Sequence, residues 1–110
     1  MNFPKNNHAI NQNEVEQILK DVICQIENNA NPTFGENVVA IIKSYCNYDT
    51  MPTVYAKGKD KFYHKDAIRK AIPIIKENGW FIWGETDYEN KLTIWVTKTD
   101  VQPHPWFSRM

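Results

Sequence analysis

The chain has little of what a catalytic or metal site needs. It contains two cysteines, Cys24 and Cys46, too few and too isolated for a disulfide framework or a zinc site. Its four glycines are scattered, which excludes a glycine-rich phosphate loop. His8, His64 and His104 lie on different segments without metal-ligand spacing. We therefore expect a protein without enzymatic activity, cofactor or metal.

Net charge and long apolar runs are also missing. The 13 basic residues balance the 13 acidic ones, which argues against a general polyanion-binding protein. No stretch approaches the roughly 18 apolar residues of a membrane span, and residues 1–14 lack the apolar region of a secretory signal. With so few cysteines, the cytoplasm is the expected compartment, without membrane contact.

What is present indicates one folded unit. The 110 residues, 42% of them hydrophobic, suit a single domain spanning residues 1–110. Residues 1–10 are polar and contain Pro4, so we expect a flexible arm. Residues 101–110 (VQPHPWFSRM) form a proline-rich tail, which we expect to pack on or near the preceding hairpin.

Three amphipathic helices are predicted. Asn11 and Glu14 have capping-box spacing and precede a helical stripe that ends near Asn28: Val15, Ile18, Leu19, Val22, Ile23 and Ile26. Thr33 and Glu36 repeat that spacing before a second stripe: Val38, Val39, Ile41, Ile42, Tyr45 and Cys46. A third helix is predicted from about Asp66 to Asn78–Gly79, which is a good stop signal. Pro73 should kink this helix or mark a restart. Its predicted inward residues are Ala67, Ile68, Ala71, Ile72 and Ile75.

Two hairpins complete the predicted fold. A short one occupies residues 53–64 (TVYAKGKDKFYH), and a longer one occupies residues 79–98 (GWFIWGETDYENKLTIWVTK). The fold class is therefore α+β: two N-terminal helices, packed on each other as an antiparallel pair, and a third helix cover one face of a small antiparallel sheet made from both hairpins.

The longer hairpin is apolar on both faces. With Glu89–Asn90 as the turn, Trp83 pairs with Val96 and Gly84 with Trp95. One face then holds Phe81, Trp83, Leu92, Ile94 and Val96, which we expect to contact the helices. The other holds Trp80, Ile82, Gly84, Trp95, Thr93 and Thr97, with Trp95 lying across the bare glycine. An antiparallel sheet with one solvated face normally alternates cleanly between apolar and polar residues, so this second face requires a cover.

Three kinds of contact could bury this second apolar face. The chain itself can supply one, through Trp106 and Phe107 of the tail or through a helix. A protein partner can dock there instead, with aromatic anchors on a rigid scaffold, and the predicted binding residues are then Trp80, Ile82, Trp95 and Thr97. A homodimer satisfies the same pattern.

A basic segment offers a second surface. Residues 57–70 hold six cationic residues against two aspartates, with aromatic residues beside them; the predicted patch is Lys57, Lys59, Lys61, His64, Lys65 and Arg69. Cations that contact phosphates and rings that stack on bases are typical of single-stranded nucleic-acid binding. A solvated charged loop gives the same pattern. Three helices before a hairpin also resemble a winged helix in outline, although acidic residues in the wing loop and Pro73 in the recognition helix oppose it.

We therefore predict a non-catalytic protein that binds another macromolecule. The favoured hypothesis is a small bacterial or phage inhibitor, immunity or adaptor protein that acts by steric occlusion of a protein partner, with the basic edge steering it to an acidic target. The alternative is a nucleic-acid-binding module that uses residues 55–70.

Overall fold

The chain forms a mixed sheet with two helices. The structure is a computed structural model that describes residues 12–28, 36–44, 55–57, 60–87 and 90–110, with the backbone alone for residues 12, 13, 55–57 and 60. In chain order the elements are α1 (Gln12–Asn28), β1 (Val38–Ser44), β2 (Tyr55–Lys57), β3 (Asp60–Tyr63), α2 (Lys65–Glu77), β4 (Phe81–Thr86), β5 (Leu92–Thr97) and β6 (Ser108–Arg109). The strand order is β2-β3-β1-β5-β4-β6. Among these described strands, β1 and β3 pair in parallel and the other pairs are antiparallel.

The α+β class is confirmed, but the predicted second helix is wrong. Residues 38–44 form β1, an inner strand between β3 and β5, so the described residues contain two helices. Val38, Val39, Ile41 and Ile42 are β-branched, and such residues fit a pleated strand better than a helix. A strand covered on both faces is a nearly continuous apolar run, which a short window does not distinguish from a helical stripe. Thr33, Tyr45 and Cys46 lie outside the described residues.

This change also removes the winged-helix hypothesis. That layout requires three helices before the hairpin, whereas β1 joins the sheet at its centre and pairs with both hairpins. The two predicted hairpins are present, as β2–β3 and β4–β5. The predicted antiparallel pair of N-terminal helices is replaced by α1 packed on α2 and on β1.

The first helix follows its predicted stripe over most of its length. Val15, Ile18 and Val22 are buried, whereas Ile23, at the edge of the stripe, is 53% exposed. Asn11 lies outside the described residues. The carboxylate of Glu14 bonds to His64: the His64 backbone N–H donates to Oε1 over 2.9 Å, and Nδ1 lies 2.9 Å from Oε2. Glu14 thus connects the first turn of α1 to the start of α2.

A side chain of α1 also completes the sheet. Gln25 donates from Nε2 to the Ile41 carbonyl over 3.0 Å and accepts from the Ile41 N–H over 2.9 Å. Among the described residues, β3 pairs with β1 at Lys43 and Ser44, and the Gln25 amide bonds to β1 two residues before this pairing. Nearby, the Tyr63 hydroxyl donates to Asp21 over 2.8 Å.

Helix α2, which the sequence predicts as the third helix, agrees with that prediction. It buries the five predicted residues, Ala67, Ile68, Ala71, Ile72 and Ile75, and the chain leaves it through Gly79 at φ 91°. It runs through Pro73 without a restart. Pro73 is exposed, on the side of the helix where water can bond to the carbonyl that loses its donor.

The register of the longer hairpin differs by one residue from the prediction. Trp83 pairs with Trp95, Ile82 with Val96 and Gly84 with Ile94. The loop runs from Asp87 to Lys91: Asp87 bonds to Lys91 through both backbone and side chain, and Asn90 has φ 61°. Because a loop with an odd number of residues shifts the register by one, Ile82 and Gly84 move to the face that holds Ile94 and Val96.

The sheet therefore has a helix face and an outer face. Apolar side chains of the sheet meet α1 and α2 on the helix face, where they form the core: Ala40, Ile42, Ile82, Leu92, Ile94 and Val96. By alternation along the strands, the outer face carries Ile41, Phe62, Phe81, Trp83 and Trp95.

Candidate functional site

The four predicted binding residues do not form one surface. Ile82 is 1% exposed within the core, and Trp80 packs against that core. Trp95 and Thr97 lie on the outer face, and Thr97 is fully buried. The separation follows from the register, which places Ile82 and Trp95 on opposite faces of the sheet.

Residues 107–109 cover the outer face of the hairpin. The Phe107 ring lies 4.5 Å from Trp95, centroid to centroid. The Arg109 guanidinium lies 5.7 Å from the Phe81 ring and 5.9 Å from the Trp83 ring. Trp83 is 7% exposed, and its indole N–H donates to Thr97 Oγ1 over 3.0 Å. The chain therefore supplies a cover for the aromatic residues of β4 and β5.

The residue over Gly84 is not Trp95, as predicted, but Met110. A Cβ at Gly84 would collide with the Met110 thioether, and the Met110 backbone N–H donates to the Ile82 carbonyl over 3.0 Å. A glycine inside a strand pattern often marks such a close approach. Glycine thus allows residues 108–110 to lie against β4, where Ser108 pairs with Gly84 and Arg109 with Trp83.

The segment before β6, residues 98–107, is here called the tail loop. Thr97 Oγ1 donates to the Thr99 carbonyl over 2.8 Å, and the Thr99 N–H donates to Asn37 Oδ1 over 2.9 Å. Within the loop, Gln102 Nε2 donates to the Phe107 carbonyl over 2.6 Å. An ion pair between Asp100 and Arg109 joins the loop to β6. These bonds fix the loop at both ends.

The tail loop presents two apolar side chains to solvent. Trp106 is 74% exposed and Val101 is 62% exposed. The His104 ring stacks beside the indole of Trp106, with 6.3 Å between ring centroids and 21° between ring planes, and the Trp106 backbone N–H donates to His104 Nδ1 over 3.3 Å. An exposed tryptophan on a hydrogen-bonded loop is the most prominent apolar feature of the described surface.

A groove lies beside Trp106, at the end of β4. Its volume is about 440 Å³, and seven residues line it: Gly84, Glu85, Thr86, Leu92, Trp106, Ser108 and Met110. We call it the tail groove. The groove is open to solvent, and polar and apolar residues contribute about equally to its lining.

The predicted basic patch is only partly available. Lys61 is exposed and Lys65 is half-buried. His64 contacts Glu14, and Arg69 lies 3.6 Å from Asp66 in an ion pair within α2. The side chain of Lys57 and the whole of Lys59 lie outside the described residues. Two of the six predicted residues therefore already contact carboxylates.

The remaining polar chemistry is sparse. Within the described ranges there is no group of three or more His, Cys, Asp or Glu side chains that could hold a metal ion, and neither helix is long and apolar enough to cross a membrane. Burial, followed by the hydrogen bond to Asp21, raises the pKa of Tyr63 well above its usual value. A tyrosine held in its neutral form in this way acts as a structural donor to the helix.

Comparisons with known proteins give no relative. No family model, no curated protein and no solved structure matches the chain.

Sequence reasoning missed the tail groove because its lining comes from three separate stretches, residues 84–86, 92 and 106–110. Two signals were present in the sequence. Gly84 interrupts a strand pattern, and Trp106 follows a proline in a segment without apolar alternation.

Proposed function

We propose that this chain is a non-catalytic protein-binding module, with Trp106 and the tail groove as the contact surface. The carrying observation is the 74% exposure of Trp106 on a loop that is hydrogen-bonded and ion-paired to the sheet. This surface replaces the predicted set around Trp80, Ile82 and Trp95.

The energetics of association support this surface. Tryptophan is enriched among the residues that dominate binding energy, because one side chain buries a large apolar area. Ordering a flexible loop on binding reduces affinity, whereas the tail loop already has its bonds in the free chain. The partner therefore meets an anchor that needs little further ordering.

Such a surface suits action by occlusion. A small protein that covers the functional site of its target needs a shaped, partly apolar contact and no catalytic groups of its own. An inhibitor, immunity or adaptor protein works in this way, and this remains our functional class for the chain.

A capture experiment tests the proposal. The immobilised chain is exposed to lysate of the cells that encode it, in wild-type, Trp106→Ala and Ile23→Ala forms. Ile23 is a matched control because it is an exposed apolar residue on α1, a different element. We expect one protein to be retained by the wild type and by Ile23→Ala and lost with Trp106→Ala. Equal retention by all three forms would contradict the proposal.

Nucleic-acid binding is a second candidate, supported by one observation on the outer face. Phe62 pairs in register with Lys43, and Lys91 Nζ lies 6.0 Å from its ring centroid. Lys43 and Lys91 thus lie beside an aromatic ring, a combination that binds single strands. The exposed Lys61 is the next residue in β3 and, by alternation, lies on the opposite face of the sheet.

A salt titration with a fluorescent single-stranded oligonucleotide tests this alternative. Binding through phosphates makes affinity fall steeply with salt concentration, and a Lys43→Glu/Lys91→Glu variant then lowers both affinity and salt dependence. Affinity that is absent or independent of salt would remove the alternative.

A further inference from the structure

We infer that His104 is a positioning residue for Trp106 and that it holds this anchor in place only while its imidazole ring is neutral. Binding of the partner should therefore weaken as the pH falls from about 8 to about 5, the range in which histidine side chains gain a proton. This inference rests on the proposed protein-binding function and adds the regulation of its contact surface.

Trp106 lies in a β-turn that begins at His104. The Phe107 backbone N–H donates to the His104 carbonyl over 3.0 Å, so Pro105 and Trp106 are the two central residues of the turn. Proline suits the first central position, because its ring fixes φ near the value that type I and type II turns require there. The main chain of residues 104–107 thus places Trp106 at the tail groove.

The His104 side chain adds a second bond to this turn. Its Nδ1 accepts from the Trp106 backbone N–H over 3.3 Å, as the side chain of an asparagine or aspartate does with the N–H two residues on. The imidazole also stacks beside the Trp106 indole and lies nearly perpendicular to the Phe107 ring, with 6.3 Å between those centroids. One side chain therefore contacts both the main chain and the ring of the exposed tryptophan.

The bond to Nδ1 requires a neutral imidazole. An acceptor nitrogen carries a lone pair, so the single ring proton of the neutral form is on Nε2. Protonation places a hydrogen on Nδ1 as well, and the ring then cannot accept from the Trp106 N–H. The imidazolium keeps an attraction to the indole face, but this attraction does not fix the Trp106 main chain.

Among the described residues, no carboxylate pairs with the His104 ring. The charged residues of the tail loop and of the strands beside it are Glu85, Lys98, Asp100 and Arg109. Asp100 and Arg109 pair with each other, and none of the four makes a hydrogen bond or an ion pair with the ring in the described part of the chain. A partner that covers Trp106 also covers the stacked imidazole, and burial of an unpaired cation costs free energy. Binding therefore selects the neutral ring.

NMR spectra of the free ¹⁵N-labelled chain, recorded between about pH 5 and about pH 8, test the positioning. We expect the Trp106 backbone N–H signal to follow a one-proton titration curve with the same midpoint as the His104 ring signals. Its proton should move upfield on acidification, because the N–H loses its acceptor.

Two variants separate the bond from the ring. His104→Asn keeps a side-chain acceptor for the N–H two residues on at every pH, whereas His104→Phe keeps an aromatic neighbour for the indole but has no acceptor. The Trp106 amide signal should lose its pH dependence in both variants, bonded in His104→Asn and unbonded in His104→Phe. His64, which contacts Glu14, is present in all three proteins and does not account for a difference between them.

The capture experiment, repeated at about pH 7.5 and about pH 5.5, tests the regulation. The retained protein should bind the wild type about tenfold more weakly at the lower pH, because an anchor that must be ordered and a cation that must be buried both reduce affinity. With His104→Asn the affinity for the same protein should change much less.

A Trp106 amide signal that stays constant over this pH range, or that changes equally in His104→Asn, would overturn the inference. Equal binding of the partner by the wild type at both pH values would do the same. If no protein is captured at either pH, the protein-binding function fails and the regulation with it. The NMR titration of the free chain still shows in that case whether His104 positions Trp106.

Discussion

The two faces of the sheet are covered in different ways. The helix face meets α1 and α2 through aliphatic side chains. Two part-buried contacts of α1 carboxylates support it: Glu14 to His64 joins α1 to the start of α2, and Asp21 to Tyr63 joins α1 to the sheet. The outer face over β4 and β5 is aromatic and is covered by residues 107–109. The helices α1 and α2 each pack an apolar stripe against the sheet along most of their length. Residues 107–109 form a single extended segment, which covers a narrower part of the outer face. The neighbouring Trp106 consequently stays in solvent.

Among these variants, Trp83→Ala should lower the free energy of unfolding most. It tests whether the outer face of β4 and β5 is buried in solution. Because Trp83 is 7% exposed, its truncation should lower the free energy of unfolding by about 3–5 kcal/mol. Denaturant unfolding measures this, with Trp83→Phe as the milder control that keeps a ring but loses the bond to Thr97. A cost below about 1 kcal/mol would show that residues 107–109 do not cover the face in solution.

Glu14→Ala, at the contact between α1 and α2, should cause the second-largest loss in the free energy of unfolding. The change removes the acceptor of the His64 N–H inside the protein, which costs about 1–3 kcal/mol. Glu14→Gln keeps an oxygen acceptor at the same place and should restore part of the loss. Thermal unfolding of the three proteins at neutral pH compares them. If Glu14→Ala unfolds like the wild type, the contact does not hold α1 to α2.

The hydrogen bond from Tyr63 to Asp21 should contribute less to the free energy of unfolding, and its contribution should depend on pH. Its pKa is raised by burial and by the bond to Asp21, so the folded state keeps the proton that the unfolded chain loses above about pH 10. Stability from this group is therefore fully present below pH 10 and falls as the pH rises further. Tyr63→Phe should cost about 1 kcal/mol at neutral pH and flatten the alkaline decline. Denaturant unfolding between pH 8 and 11 measures both, and an unchanged alkaline slope in Tyr63→Phe would disprove the assignment.

Trp106→Ala should have the smallest effect on folding. With most of its surface in solvent, its removal should change the free energy of unfolding by less than about 0.5 kcal/mol. The contrast with Trp83→Ala separates a tryptophan that holds the fold from one that is free to bind. A large destabilisation by Trp106→Ala would mean that the indole packs within the protein.

The sequence predicted the helix face better than the outer face. Both observed helices have clear 3.6-residue stripes, and their inward residues were correct apart from Ile23. Strand β1 was mistaken for a helix because a strand buried on both sides lacks the alternation that reveals strands. The faces of β4 were exchanged because the parity of the Asp87–Lys91 loop is not fixed by composition.

The candidate site could not be predicted from the same patterns. The tail groove depends on how residues 98–110 return to β4, and this path is set by long-range bonds such as Thr99 to Asn37 and Met110 to Ile82. Nothing periodic in the tail encodes those partners. The expectation that residues 101–110 lie near the hairpin came from their apolar content, which does not state which ring faces inward.

The Gln25 amide on Ile41 has a consequence for how the molecule opens. The Ile41 N–H lies in an inner strand, yet its bonding partner is a helix side chain. Exchange of that amide with deuterated solvent therefore requires α1 to detach, even while the neighbouring strands remain paired. Detachment would also leave the Ile41 N–H and carbonyl without their Gln25 partner. Exchange at the Ile41 amide thus reports the docking of α1 rather than the opening of the sheet.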